Sequence, residues 1–382
     1  MDHNALFEEI DRLYPRYVRI AEDVCNIDSP TNYKEGVDAV GNYFIDMARK
    51  RGWEIDVCEQ DVAGNAVCIT MNPNAKNAPV VLSGHIDTVH PIDAFTKPNV
   101  HCDERNMYGP GTMDCKGGVV ASFLAMEALD ICGFRERPVL LILQSDEEKG
   151  SAPSGLSTVR YMCERAKGAV AFLNTEGSVG STLVLSRKGI IGYEFTVHGV
   201  ARHSAVCTEA SSAIAEAAYK IIELEKMKDR NGITCNCGLI NGGSATNSVA
   251  DKCTFTVDIR FAIFDELETV KKAVKKIADN NTVKGCSCKF RQTNYRPPME
   301  QTERNYRLLE RINQINRQVG LPERTARSCP SGSDAAYVTI AGIPCVDNIG
   351  VEGSFIHSVN EYLVLGSIAR SAKQLAAIAC YI

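Results

Sequence analysis

Between residues 66 and 186 the sequence sets five short β-rich runs, AVCITM, PVVLSG, PVLLILQS, AVAFLN and TLVLS, around helical segments at Gly117–Leu129 and Ser154–Arg165. Runs that are apolar from end to end belong to strands buried on both faces, and such strands need helices to cover them. The alternation predicts an α/β fold with a largely parallel sheet covered on both sides. Two further helices, Ala5–Asn26 and Gly36–Arg51, are predicted ahead of the sheet from their apolar spacing.

From about Gly189 the texture changes. IGYEFTVHG, GITCNCGLI, KCTFTVDIRFA and SCKFRQT read as strands, with helices over Ala210–Lys228 and Leu267–Asp279. That βαββαβ order is the split pattern of a ferredoxin-like domain. Pro297 and Pro298 should end its last strand, because proline donates nothing to a ladder. Helices Arg304–Val319, Ala335–Ala341 and Leu365–Ala377 and the strand PCVDNIG then resume the earlier style. The expected organisation is a catalytic domain in two parts, 1–188 and 298–382, carrying an inserted ferredoxin-like α+β domain over 189–297.

The formal net charge of −5 in 382 residues argues against a nucleic-acid partner, which calls for a basic surface. No apolar run could span a bilayer, and the start, MDHNALFEEIDRLYPRYV, is acidic where a secretory signal would be basic. The 16 cysteines are scattered through apolar stretches, as small buried hydrophobes are in a reducing compartment. The pairs Cys235/Cys237 and Cys286/Cys288 lack the C-x-x-C spacing of a structural zinc site. A cytoplasmic protein with no membrane partner is expected.

Ligands gather at the carboxyl ends of strands in an open α/β sheet. Here those ends carry one kind of residue. PVVLSG runs into His85-Ile86-Asp87, PVLLILQS into Asp146-Glu147-Glu148 and AVAFLN into Thr175-Glu176, while PCVDNIG is followed shortly by His357. The turn GPGTMDCKGG sets Asp114 just before a helix. Imidazoles and carboxylates converging on one edge suit zinc, manganese or cobalt.

The segments SGHIDTVHP, GPGTMDCKGG, SDEEKGS, NTEG, ARHSA and SGSDAAY…IHS resemble, in order and over nearly the whole chain, the dinuclear zinc amidohydrolase family. Acetylornithine deacetylase, succinyl-diaminopimelate desuccinylase, aminoacylase and glutamate carboxypeptidase belong to it, and DEEKGS and PSGSDAAYVTIAGIP look most like the glutamate carboxypeptidase branch. The resemblance implies two divalent ions per subunit, zinc first, with cobalt or manganese as alternatives. It makes His85 a ligand of one ion and His357 of the other, with Asp114 as the bridge. Glu148 would complete the His85 site and Glu176 the His357 site. Asp87 would orient His85, and Glu147 would be the general base toward a water held between the ions. The Asp114–Cys115 peptide is expected to be cis, with Cys115 a spectator. His203 would stabilise the tetrahedral oxyanion, often from the partner subunit of a homodimer formed through the inserted domain. Asn247, Arg260, Gly332 and Ser333 match positions that hold the substrate carboxylate. Two departures stand out: Asn247-Ser248-Val249-Ala250 replaces the usual Asn-x-Ile-Pro, and RTARSCPSG replaces a run rich in glycine. His3, His90, His101 and His198 match no family ligand.

Two ions about 3.5–4 Å apart need one shared carboxylate and further ligands on each side, and they make a water acidic near neutral pH. A neighbouring carboxylate outside the ligand set can then carry its proton to the leaving nitrogen. The activity expected is that of a metallo-carboxypeptidase or dipeptidase cutting an amide bond beside a free carboxylate in a small peptide. An N-acyl-amino-acid deacylase of the acetylornithine or desuccinylase type is the alternative within the same chemistry. A non-catalytic metal-binding scaffold is the alternative outside it, although such a scaffold would be free to lose Glu147. A surface role for His203 and an ion pair of Arg260 with a nearby acid stay open.

Overall fold

The computed structural model describes residues 1–229 and 232–382. The chain divides into two compact units, one of Met1–Leu185, Gln301–Ser328 and Tyr337–Ile382, the other of Ser186–Glu300 and Cys329–Ala336. The boundaries expected at 189 and 297 fall just inside the second unit, which also takes in residues 329–336.

The first unit is built on a six-stranded mixed sheet in the order Glu54–Cys58, Ala66–Met71, Val139–Gln144, Val80–His85, Ala171–Asn174, Cys345–Val346. The last four are mutually parallel, and the first two join antiparallel at one edge. Every residue of the three runs Ala66–Met71, Val80–His85 and Val139–Gln144 is buried, which is why they lack the alternation of a half-exposed strand. The run TLVLS lies elsewhere: Thr182–Arg187 pairs with Thr325–Cys329 in a separate two-stranded ribbon. Apolar character alone cannot say which sheet a strand joins.

Helices His3–Cys25, Gly117–Ile131 and Gly366–Tyr381 pack against one another. The middle one is buried without a break from Gly117 to Leu129, as expected of a helix apolar on all sides. Its one buried acid, Glu127, is satisfied by Arg16, Arg51 and the Tyr17 hydroxyl, partners that a buried charge requires. A small sheet that sequence patterning did not foresee joins Gly353–Ser354, Tyr362–Val364, Asn106–Tyr108 and His101–Cys102. Its strands are two or three residues long, too short to leave a periodic signal. No helix among the described residues is long and apolar enough to cross a membrane.

The second unit holds four antiparallel strands in the order Thr234–Gly242, Lys252–Phe261, Gly189–His198, Ser287–Arg296, with helices Ala213–Glu225 and Phe264–Asp279. Lys252–Phe261 buries alternate residues, so one face of the sheet carries the core of Phe195, Phe255, Val257 and Ile259. The last strand stops at Arg296, directly before Pro297.

Candidate metal centre

Register brings the donors to one edge. His85 ends its strand beside Gln144, and Ser83 beside Asn174, so residues 145–148 and 175–176 leave the sheet next to His85. Asp114 sits in the turn Thr112–Lys116 at the start of the buried helix, and the Asp114–Cys115 bond is cis. The Thr175 backbone, which delivers Glu176, passes between two glycines. A Cβ on either Gly118 or Gly350 would lie 2.0 Å from the Thr175 carbonyl oxygen. Only glycine permits that approach. His357 lies between the short strands Gly353–Ser354 and Tyr362–Val364, with a left-handed backbone, φ 61°.

Asp114 lies between the two imidazoles. Its Oδ1 is 3.0 Å from His85 Nε2, and its Oδ2 is 3.1 Å from His357 Nε2. Glu176 stands 3.8 Å from His85 Nε2, and Glu148 stands 3.3 Å from His357 Nε2. These distances pair the outer carboxylates the other way round from the expected division. The cluster is small enough that His85, Asp114 and Glu148 also offer atoms within 4.8 Å of one another, as do His85, Cys115 and Glu176.

The electrostatics show what such crowding costs. Burial and the neighbouring Asp114 push the Glu176 carboxyl well above the usual carboxylate range. Burial also lifts Glu148 to about 7, with His357 opposing the rise and Asp114 adding to it. Burial works against ionisation of Asp114 too, but hydrogen bonds from His357 and His85 overcome it and hold that carboxyl well down. Hydrogen bonding to Asp114 and Glu148 raises His357 to about 10. Three acids and two imidazoles at these distances are a donor set that divalent cations would neutralise, and nitrogen with oxygen is the ligand chemistry of zinc-type ions.

Around the donors lies a hydrogen-bonded frame. His85 Nδ1 is 3.0 Å from the Asp87 carbonyl and 3.3 Å from its carboxylate. The Asp87 carboxylate also accepts the backbone N–H groups of Glu147 and Glu148 and the Thr31 hydroxyl. Asp87 therefore fixes both the imidazole and the turn that carries two glutamates. Glu147 is buried and close enough for its charge to raise Glu148 and Glu176. Cys115, buried, accepts from the His85 N–H, and burial pushes its thiol up to about 12. Lys116 is fully buried, its ammonium donating to the carbonyls of Val24 and Ile27. Glu361 accepts from the N–H groups of Met113 and Asp114. Sequence reading missed Thr31, Lys116 and Glu361, none of which stands at a strand end where ligands are sought.

The remaining predicted residues belong to the second unit. His203 is exposed and accepts the Ala205 N–H at Nδ1. Its segment pairs with the one bearing Asn247, since Ser204 donates to the Asn247 carbonyl and Val249 to that of Arg202. Arg260 is half-buried, with Nε 3.0 Å from Asp258 and Nη1 2.9 Å from the Pro330 carbonyl. The ion pair left open by the sequence is thus formed. Gly332 and Ser333 follow on the same loop, which the buried Arg187 holds through Ser331 and the Gly332 carbonyl.

Comparison with known proteins gives the lineage. Residues 81–380 match the Peptidase family M20/M25/M40. Carboxypeptidase G2 of Pseudomonas sp. (strain RS-16) is 25% identical over 378 residues, covering 96% of this chain and 89% of that protein. Succinyl-diaminopimelate desuccinylase of Nitrosospira multiformis is 24% identical, covering 89% of this chain and 91% of its own. In fold, an M20 family metallo-carboxypeptidase of Sulfolobus solfataricus aligns at a TM-score of 0.76 with 17% identity, over 96% of this chain and 98% of that one. A dinuclear metal binding peptidase of the M20 family from Bacillus subtilis aligns at 0.71 with 16% identity, over 97% and 98%. The chain belongs to peptidase family M20/M25/M40 and is a carboxypeptidase-like metallohydrolase of peptide or amide bonds.

Proposed function

We propose that this chain is a dinuclear carboxypeptidase or dipeptidase that releases a C-terminal amino acid from a small peptide. The observation that carries the reading is Asp114, which offers one carboxylate oxygen to each imidazole. His85, Asp114 and Glu176 would hold one ion, and His357, Asp114 and Glu148 the other. Zinc is the metal the donor set favours, with cobalt and manganese as alternatives. Bound there, the two cations would supply Lewis acidity and lower the pKa of a water toward neutrality.

The chain's own groups do the rest. Glu147 accepts a proton from the attacking water and delivers it to the leaving nitrogen. Asp87 holds His85 in orientation and Glu147 in place. His203 donates to the oxyanion. Arg260, with Asn247 and the Gly332-Ser333 loop, receives the substrate carboxylate in a two-point hydrogen bond. The second unit acts as a lid and as the surface of a homodimer, a reading supported by its outer strand, Thr234–Gly242, which leaves Leu239 and Ile240 exposed. Sixteen free cysteines favour a reducing, cytoplasmic setting.

A panel of dipeptides and N-acyl amino acids, assayed with zinc, cobalt and manganese, tests the substrate. Release of free C-terminal amino acids from dipeptides is the expected result. Turnover confined to N-acyl amino acids would move the assignment to the deacylase reading, which the desuccinylase relative favours.

A further inference from the structure

We infer that Glu361 is a positioning residue that sets the place of Asp114 relative to both metal sites, an inference that rests on the dinuclear reading above. Three contacts tie it to the turn bearing Asp114. Its backbone carbonyl accepts from the Gly109 N–H at 3.1 Å. Its Oε1 accepts from Met113 N at 2.9 Å and from Asp114 N at 3.0 Å. One residue, 247 positions from Asp114, thus holds the chain just ahead of the turn and again at the turn's centre. The side chain is 1% exposed, and His90 closes its other oxygen, Oε2, at 3.4 Å.

The position of Glu361 in the chain gives the strap its meaning. Glu361 and His357 lie on the same loop, four positions apart. His357 meets the Asp114 carboxylate at 3.1 Å, while Glu361 holds the Asp114 amide. One loop therefore supplies a ligand and fixes the backbone of the acid that ligand shares. Glu361 touches none of the donor atoms, so it acts through Asp114. His90, unassigned from sequence, steadies it, and the Phe95 ring sits edge-on to the imidazole, with centroids 5.0 Å apart.

The consequence is specific, because Asp114 meets both imidazoles directly, at 3.0 Å and 3.1 Å, with a different carboxylate oxygen toward each. Misplacing it must loosen both ions together, whereas losing Glu148 or Glu176 should loosen one. The experiment is a zinc competition titration against a chromophoric chelator, on the full chain, for wild type, Glu361→Gln, Glu361→Asp and His90→Leu. Glu361→Asp keeps the charge but cannot reach both amides; both zinc dissociation constants should rise in parallel, by about 10–100-fold. Glu361→Gln keeps an acceptor oxygen for the two N–H groups and should rescue binding to within several-fold of wild type. His90→Leu, which leaves the strap but frees its second oxygen, should give the same parallel loosening at smaller amplitude. Melting of the chelator-treated variants separates this from a folding defect, since the Asp variant should lose the metal-induced rise while its metal-free melting stays near wild type. Unchanged constants in Glu361→Asp and His90→Leu, loosening of one ion only, or equal damage from Gln and Asp would overturn the inference. A wild-type chain that bound none of zinc, cobalt and manganese would instead overturn the dinuclear reading, and this inference with it.

Discussion

Glu147 and Glu148 are neighbours on one turn, and their backbone amides share one acceptor, the Asp87 carboxylate. From that shared anchor the side chains diverge: Glu148 meets His357 and joins His85 and Asp114 in a donor group, and among the described residues the donor groups that could hold an ion do not include Glu147. Glu147→Gln should cost about 10²–10⁴-fold in turnover, the usual worth of a general base, with metal content unchanged. Glu148→Gln should instead lower metal occupancy in elemental analysis. Equal metal loss in both variants would mean that their roles are wrongly divided. A second consequence concerns pH in the chelator-treated protein. Glu148 rises from 4.5 to about 7 and His357 from 6.5 to about 10, so the folded chain holds protons that the unfolded chain releases. Their contributions to stability are complete at low pH and are lost as pH climbs through about 7 and then about 10. The urea midpoint should therefore fall between pH 7 and pH 10 more steeply in wild type than in His357→Gln. Metal binding should run the opposite way, tightening as pH rises, because its ligands must be deprotonated.

Elements matter here through how closely they pack. The helix beginning at Gly117 and the strand end at Thr175 are brought together by Gly118, where a Cβ would lie 2.0 Å from the Thr175 carbonyl. Backbone on backbone has no flexible side chain to yield, so Gly118→Ala must shift either the helix or the strand end. Since the helix follows Asp114 and the strand end carries Glu176, the expected outcome is reduced metal occupancy with the fold retained, measured by elemental analysis and circular dichroism. A fully loaded Gly118→Ala protein would show that the two elements adjust without moving the donors. The same packing explains what could be read from the sequence. Continuous apolar runs announced the buried strands, and acids and imidazoles just past them announced His85, Glu147, Glu148 and Glu176. The pairing of the outer acids was not legible, because which carboxylate turns toward which imidazole is decided by side-chain direction and not by order along the chain. Glu361 was hidden for a related reason: it is brought to Asp114 by the pairing of two three-residue strands, Tyr362–Val364 and Asn106–Tyr108, which leave no periodic trace.

At the scale of the whole molecule, the proposed chemistry is divided between two compact units. His85, Asp114, Glu147, Glu148, Glu176 and His357 all belong to the first, and His203, Asn247, Arg260, Gly332 and Ser333 to the second. Under the proposed mechanism, turnover depends on His203 of the second unit, acting either from the same chain or from a partner. His203 suits delivery: it is exposed, and its backbone segment is anchored to the Asn247 segment, so the two residues would arrive together. In the proposed homodimer, the two-fold symmetry means that if one His203 serves the other chain, both do. Mixing inactive His203→Ala with inactive Glu147→Gln protein, under conditions that exchange subunits, separates the cases. If His203 acts across the dimer, a mixed pair contains one site with both native residues, and full exchange should restore about a quarter of wild-type activity, since half of the dimers are mixed and each has one working site. If His203 acts within its own chain, every site in the mixture lacks one of the two residues, and no activity returns. Exchange is verified independently by mass-tagging one partner, so that silence in a proven mixed dimer assigns His203 to its own chain and recovery assigns it to the neighbour.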